Sequence, residues 1–447
     1  MKKIAILGLV LLMASGLVFA GGSSGQSKDA RIQLSYSFWG TPDEFVTTQK
    51  AIDVYNNMQN KVRVTAVQVP WESYAAMLNT RAAAGMLPDC GMMQEADVLK
   101  YANLGYLADV SNMYGPRDAK PLDSITFRGP DGKPVAYAAS NEILLLYYNK
   151  KMFDDAKIAY PPASGDRAWT WDEFVATAKK LTFDTNGRTP NDAGFNRNQI
   201  RQYGAMVETL TWQLEVWALS NGGGFYAPDG KTVIIDQDPA IDAIQKVADL
   251  YLKDNVAPMS PGLTDDGIQR SIITGTVAMA TGGHWNIGTC LSAARDEQGL
   301  NYGIAVLPYM KNKVTINTSG APVVFNQTKY PRETMDFIKW YTDVQNSWFL
   351  VEAGIWMPPL DNYYKDETLI KKWITNPAYP PAADYRNAVI DYTLRFAKPT
   401  AWFFTPNTGD FNNLLQSALG DVWTGAKTAR EAITQNIAAL RRIHAQK

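Results

Sequence analysis

Ile32-Gln33-Leu34-Ser35-Tyr36-Ser37-Phe38, Val62-Arg63-Val64-Thr65-Ala66-Val67 and Cys90-Gly91-Met92-Met93 are the three runs whose reading decides the fold. The first two alternate apolar with polar residues, the period of a strand that buries one face, and the third is a short strand rich in apolar residues. Between the first two, Pro42 and Asp43 lead into a helical stretch carrying Phe45, Ile52 and Tyr55. Between the second and third lies a predicted helix over 72–84, stopped by Gly85 and Pro88, and residues 98–105 return as helix. Strand, helix, strand, helix in this rhythm predicts a parallel sheet with covering helices, an α/β architecture. Ligands of such sheets bind beyond the carboxyl ends of the strands. Here those ends carry Trp39, Trp71 and the Met93-Gln94-Glu95 segment with Asp97 close behind.

The middle of the chain is more helical. Thr170 followed three residues later by Glu173 has the form of a capping box, and Phe174, Val175, Ala178 and Leu181 form the apolar stripe of the helix it opens. Asn221-Gly222-Gly223-Gly224 reads as a helix C-terminus with a tight turn. No strand feeds it and no Gly-Lys-Ser/Thr follows, which argues against a phosphate loop. Asp238-Pro239 opens a helix through 252, residues 302–308 form a strand, and helices follow over 331–344, 414–419 and 429–442.

The amino terminus predicts export. Met1-Lys2-Lys3, the apolar run 4–19 and small Ala20 before Gly21 have the order of a secretory signal peptide, cleaved after Ala20. The run is shorter than the ~20 residues of a spanning helix. No Cys lies near the cut, which argues against a lipoprotein, and 21–29 is a Gly/Ser-rich flexible lead-in. A chain of 447 residues divides into two or three domains by size. With 43 basic and 44 acidic residues it lacks the basic excess of a nucleic-acid binder. Cys90 and Cys290 read as two buried thiols rather than a disulfide. Two histidines, no HExxH and no CxxC leave metal chemistry poorly supported, and no cofactor is expected.

Several ordered stretches carry a resemblance. They are Val69-Pro70-Trp71-Glu72-Ser73-Tyr74 with 82–89, Leu146-Tyr147-Tyr148-Asn149-Lys150, Thr170-Trp171-Asp172-Glu173-Phe174, Gly275-Thr276-Val277-Ala278-Met279 leading to His284-Trp285-Asn286, 302–308, and Phe337-Ile338-Lys339-Trp340. Over nearly the whole mature chain they resemble the family-1 extracellular solute-binding proteins, the carbohydrate receptors of ABC importers. The resemblance implies a two-lobed, type II periplasmic-binding-protein fold with crossing hinge strands. Lobe 1 is then expected over 30–140 and 305–357 and lobe 2 over 141–304 and 358–447, with crossings near Ser140-Asn141, Ile304-Ala305 and Trp356-Met357. It further implies a monomer that serves membrane permease subunits. Gln94, Glu95 and Asp97 match a segment with polar sugar contacts, Glu142 an acid at the hinge, and Trp212 and Trp285 stacking aromatics.

The chemistry of the residue types agrees. A sugar offers C–H faces to flat aromatic rings and hydroxyls to amides and carboxylates around its rim. Trp39, Trp71, Trp212, Trp285 and Trp356 could supply faces; Gln94, Glu95, Asp97, Glu142 and Asn286 could supply edges. Trp169, Trp340, Trp348, Trp373 and Trp423 are assigned to core or surface, and His284 to a rim donor or bystander. Two other readings stand beside this one. The same fold could take a polyamine, which also suits carboxylates and indoles, or a glycerol phosphodiester, although the strand ends lack the Arg or Lys an anion calls for. A secreted glycosidase would likewise use Trp and paired carboxylates. The Gly-x-Ser-x-Gly pattern at 21–25 lies in the lead-in, without the strand-to-helix turn of a nucleophile elbow.

Overall fold

The three opening runs pair as their alternation requires. In the computed structural model, which describes residues 30–40, 42–114, 119–129, 131–258, 271–295, 299–376 and 379–446, Ile32–Phe38 (β1) lies between Val62–Gln68 (β2) and Cys90–Met93 (β3), parallel to both. The expected signal peptide, its cleavage site and the 21–29 lead-in fall outside the described residues. The helices Trp71–Ala83 and Glu95–Asn103 cover one face through Tyr74, Leu78, Val98, Leu99 and Tyr101. Pro42–Met58 and Pro331–Thr342 cover the other through Ile52, Tyr55, Phe337 and Tyr341.

A second sheet is built around Glu142–Asn149 (β4), every residue of which is buried. Ile143, Leu145 and Tyr147 enter one core while Leu144, Leu146 and Tyr148 enter another, so this strand is apolar on both faces. At about 1.5–3 kcal/mol for each large apolar side chain removed from water, β4 is a principal source of stability. Its sheet also contains Phe183–Asp184 (β5), Ile200–Met206 (β6), Val277–Gly283 (β7), Tyr302–Ala305 (β8), Thr315–Thr318 (β9) and Ala397–Pro399 (β11), in the order β11-β9-β4-β7-β6-β5 with β8 also pairing with β4. β7, β8 and β9 run antiparallel to β4, and β6 runs parallel to β7.

The chain returns to the first sheet as Ala321–Val324 (β10), antiparallel to β3, giving the order β10-β3-β1-β2. This passage lies at Ser319-Gly320; the crossing expected near Ile304-Ala305 falls inside β8. Local signals are realised: Thr170 and Glu173 form the capping box of the Trp171–Leu181 helix, and Asn221 ends Thr211–Ser220 with Gly222 at φ 86°. Cys90 and Cys290 are buried and free. Among the described residues, no helix is long and apolar enough to cross a membrane.

Two positions in the second sheet's surroundings yield tests. A Cβ on Gly204 of β6 would overlap the backbone carbonyl of Ala178 in the Trp171–Leu181 helix. Gly204→Ala therefore separates helix from sheet and should lower unfolding free energy by about 1–3 kcal/mol or more in urea titration; an unchanged midpoint would contradict this packing. Glu215, on the Thr211–Ser220 helix, is pushed up to about 7 by burial, partly offset by a hydrogen bond from the Ala401 backbone. The folded state then keeps a proton that the unfolded chain has released, so stability falls as pH rises from the ordinary carboxylate range to about 7. Glu215→Gln should make that slope shallower by on the order of 3 kcal/mol in total when melts are compared across pH 4 to 8, with the contribution of the buried Asp97 carboxyl remaining.

Candidate binding cleft

Strand direction places the site. The carboxyl ends of β1, β2 and β3 share one edge of the first sheet, and antiparallel β10 begins there. In the second sheet, the carboxyl ends of β6, β7 and β9 share an edge with the start of β4. Because β9 leads through Ser319-Gly320 into β10, these two edges flank the passages between the sheets.

A buried polar cluster ties those passages together. The Asn141 backbone N–H donates to Met357 O (3.1 Å). Its side-chain amide donates to Tyr364 OH (2.8 Å) and accepts from Asn317 Nδ2 (2.6 Å). Gly320 N donates to Ser140 Oγ (3.1 Å), and Met357 N to Glu142 Oε1 (3.0 Å). Glu142 Oε2 lies 3.1 Å from His284 Nδ1, and His284 Nε2 lies 2.6 Å from Tyr385 OH. Burial raises the Glu142 carboxyl above its usual range, and His284 and the Met357 N–H oppose that shift. His284 is thus not at a rim: it is fully buried and joins β7's exit to β4 and to Tyr385.

Aromatic rings gather on both edges. Trp212, half-buried near the start of Thr211–Ser220, has its ring centre 6.1 Å from that of Trp285 and 5.2 Å from that of Trp402. Trp285 lies over Gly283, where any Cβ would occupy the space of its six-membered ring. Tyr147 OH holds the Gly283 carbonyl from β4 at 2.7 Å, which fixes the platform. On the first sheet, half-buried Trp39 meets Tyr74 edge-on at 5.2 Å, and Tyr74 OH bonds Ser37 Oγ at 2.7 Å. Trp71 is 39% exposed, and Gln94 Nε2 donates to its carbonyl at 2.8 Å.

The residues picked from sequence divide accordingly. Trp39 and Trp212 pack against one shared apolar cluster, and Trp285 stands beside Trp212. Trp71 and Gln94 share the first sheet's carboxyl edge. Glu95 accepts from Thr318 Oγ1 (2.8 Å) and Ser319 N (3.3 Å), so it fastens the passage between β9 and β10. Asp97 is pushed up to about 6, with burial and Asp410 raising it and Lys100 opposing. Asn286 is buried and donates to Gly283 O (3.1 Å). Trp356 goes to the core: it is 6% exposed and packs edge-on against Tyr341 at 5.8 Å. Sequence reading overlooked Trp402, whose only local signal was the aromatic run Trp402-Phe403-Phe404 before Pro406.

Comparison with known proteins follows the same line. An uncharacterised lipoprotein in the oleD 5′ region of Streptomyces antibioticus is 30% identical over 173 residues, 37% of this chain and 37% of that protein. The chain thus spans little more than a third of that relative's length. The maltodextrin-binding protein MdxE of Bacillus subtilis is 22% identical over 348 residues, 76% of this chain and 75% of its own. A solute-binding protein of an ABC transporter from Thermotoga lettingae, bound with α-D-tagatose, has the same two-lobed α/β fold, with a TM-score of 0.75 at 22% identity over 93% of this chain and 100% of that one. The resemblance read from the sequence is met at the level of the family: residues 50–381 match the description "bacterial extracellular solute-binding protein", and the chain belongs to that family.

Proposed function

We propose that this chain is an exported, non-catalytic receptor that captures a sugar or oligosaccharide between its two lobes and delivers it to the membrane permease of an ABC importer. The observation that carries this reading is that indoles from both sheet edges, Trp39 from the first and Trp212 from the second, pack against one shared apolar cluster, with Trp285 beside Trp212. Flat rings on opposing walls suit the C–H faces of a pyranose, and the polar groups around them suit its hydroxyls. The acids at the edge already have partners: Glu95 holds Thr318, Glu142 holds Met357 N and His284, and Asp97 sits with Lys100. That engagement favours a neutral ligand over a polyamine. Lys100 pairs with Asp410, which leaves it poorly placed for a phosphodiester.

The reading includes a leader ending at Ala20 that is removed on export, and a monomeric mature protein. The lobes correspond to the two sheets with their helices, hinged at the Asn141 cluster. A ligand that touches both walls binds the closed arrangement more tightly and shifts the population toward it.

Two measurements test this. A thermal-shift screen over mono- and oligosaccharides should find a ligand of roughly micromolar affinity, about −8 kcal/mol. Trp285→Ala should weaken it roughly tenfold or more by removing a stacking face. Gly283→Ala, which displaces the same ring, should do likewise with the circular dichroism unchanged. Wild-type affinity in both variants would remove Trp285 from the site. Small-angle scattering should show a smaller radius of gyration at saturation with that ligand; identical profiles would rule out closure.

A further inference from the structure

One flank of the cleft is crossed by the chain itself. β11 runs parallel beside β9, and Thr400 Oγ1 donates to Asn317 O at 3.0 Å. From this anchor, residues 401–410 reach over to the first sheet. Phe403 packs on Phe127 with ring centres 4.6 Å apart, and Trp402, 5% exposed, joins the core under the Glu95–Asn103 helix. Thr408 Oγ1 donates to Ala96 O at 3.1 Å, and Lys100 Nζ pairs with Asp410 at 2.8 Å. A Cβ at Gly409 would meet Asp97 Oδ1 at 2.8 Å, so the Asp97 side chain would have to shift to admit one.

Strand order fixes which flank this is. The strap leaves β11, at one end of the second sheet, and lands on the helix that follows β3, beside β10 at one end of the first. Trp39 and Trp71 follow β1 and β2, and Trp285 follows β7, away from those two ends, whereas Trp212, which follows β6, reaches back to meet Trp402 at 5.2 Å.

We propose that the cleft is a slot with one blind end, sealed by the 401–410 strap, and that it holds a short saccharide or the terminal units of a longer one. The proposal rests on the carbohydrate reading above and adds the ligand's form. A sugar chain passing the blind end would have to expel Trp402 and Phe403 from the core they share with Phe127. The Trp402 indole N–H has no acceptor among the described residues, and its ring lies 5.2 Å from Trp212.

The test is calorimetry on the full mature chain. The probes are α-1,4-gluco-, β-1,4-manno- and β-1,4-galacto-oligosaccharides of one to six rings, each also blocked at either terminus by a bulky aromatic group. In whichever series binds, affinity should level off by about three rings, and a block at one terminus should weaken binding about a hundredfold while the other is tolerated. Trp402→Ala combined with Lys100→Ala should recover at least about tenfold of the loss for the intolerant terminus. Should that pair unfold, Lys100→Ala alone should recover a smaller part. Equal tolerance of both blocks, or affinity climbing steadily through six rings, overturns the blind end while leaving a sugar receptor intact. Binding of no sugar in any series removes the carbohydrate reading and this inference with it.

Discussion

Three passages of chain converge on Asn141, and the geometry of the site depends on how that residue is held. Its backbone binds the Trp356-Met357 segment, its carbonyl oxygen takes Asn317, and its amide reaches Tyr364. Completely buried amides of this kind are expensive to leave unsatisfied, so the network fixes the three segments relative to one another. Immediately after it, β4 begins with Glu142 and proceeds through residues that are apolar on both faces. The polar cluster sets where the sheets join, and the apolar strand anchors that junction in two cores at once.

The cleft walls need little beyond this. Parallel strands present their carboxyl ends together, and the loops leaving them carry indoles whose orientation is set by neighbours rather than by ligand. Gly283 supplies a flat bed for Trp285, Tyr147 holds that bed from below, and Tyr74 supports Trp39 from the side. Preformed rings lose little conformational freedom when a ligand arrives.

Much of this was legible in the residues. The alternation in 32–38 and 62–67, the Thr170–Glu173 cap and the Asn221-Gly222 turn are local signals, and each specifies its element without help from distant sequence. What escaped depends on partners far along the chain. Thr315-Ile316-Asn317-Thr318 is polar by composition, yet every residue is buried, because its hydroxyls and amides serve β4, Asn141 and Glu95. The passage at Ser319-Gly320 follows from that strand and could not be placed without it. Trp402 lies in a stretch with no period of 2 or 3.6, so nothing local separates it from an ordinary core tryptophan. Trp356 shows the converse: a ring beside the Asn141 cluster is packed inward by Tyr341.

The two cysteines carry a consequence for maturation. Both are fully enclosed, and burial pushes both thiols above their ordinary range, with Asp89 adding to the effect at Cys90. Exchange chemistry proceeds through the thiolate, which is both scarce and unreachable in this fold. Once the chain is folded, these two thiols are therefore shielded from the redox poise around them. The vulnerable interval is the time before β3 and the Asn286–Arg295 helix close over their sulfurs, which makes speed of folding, rather than an oxidising catalyst, the guard against mispairing.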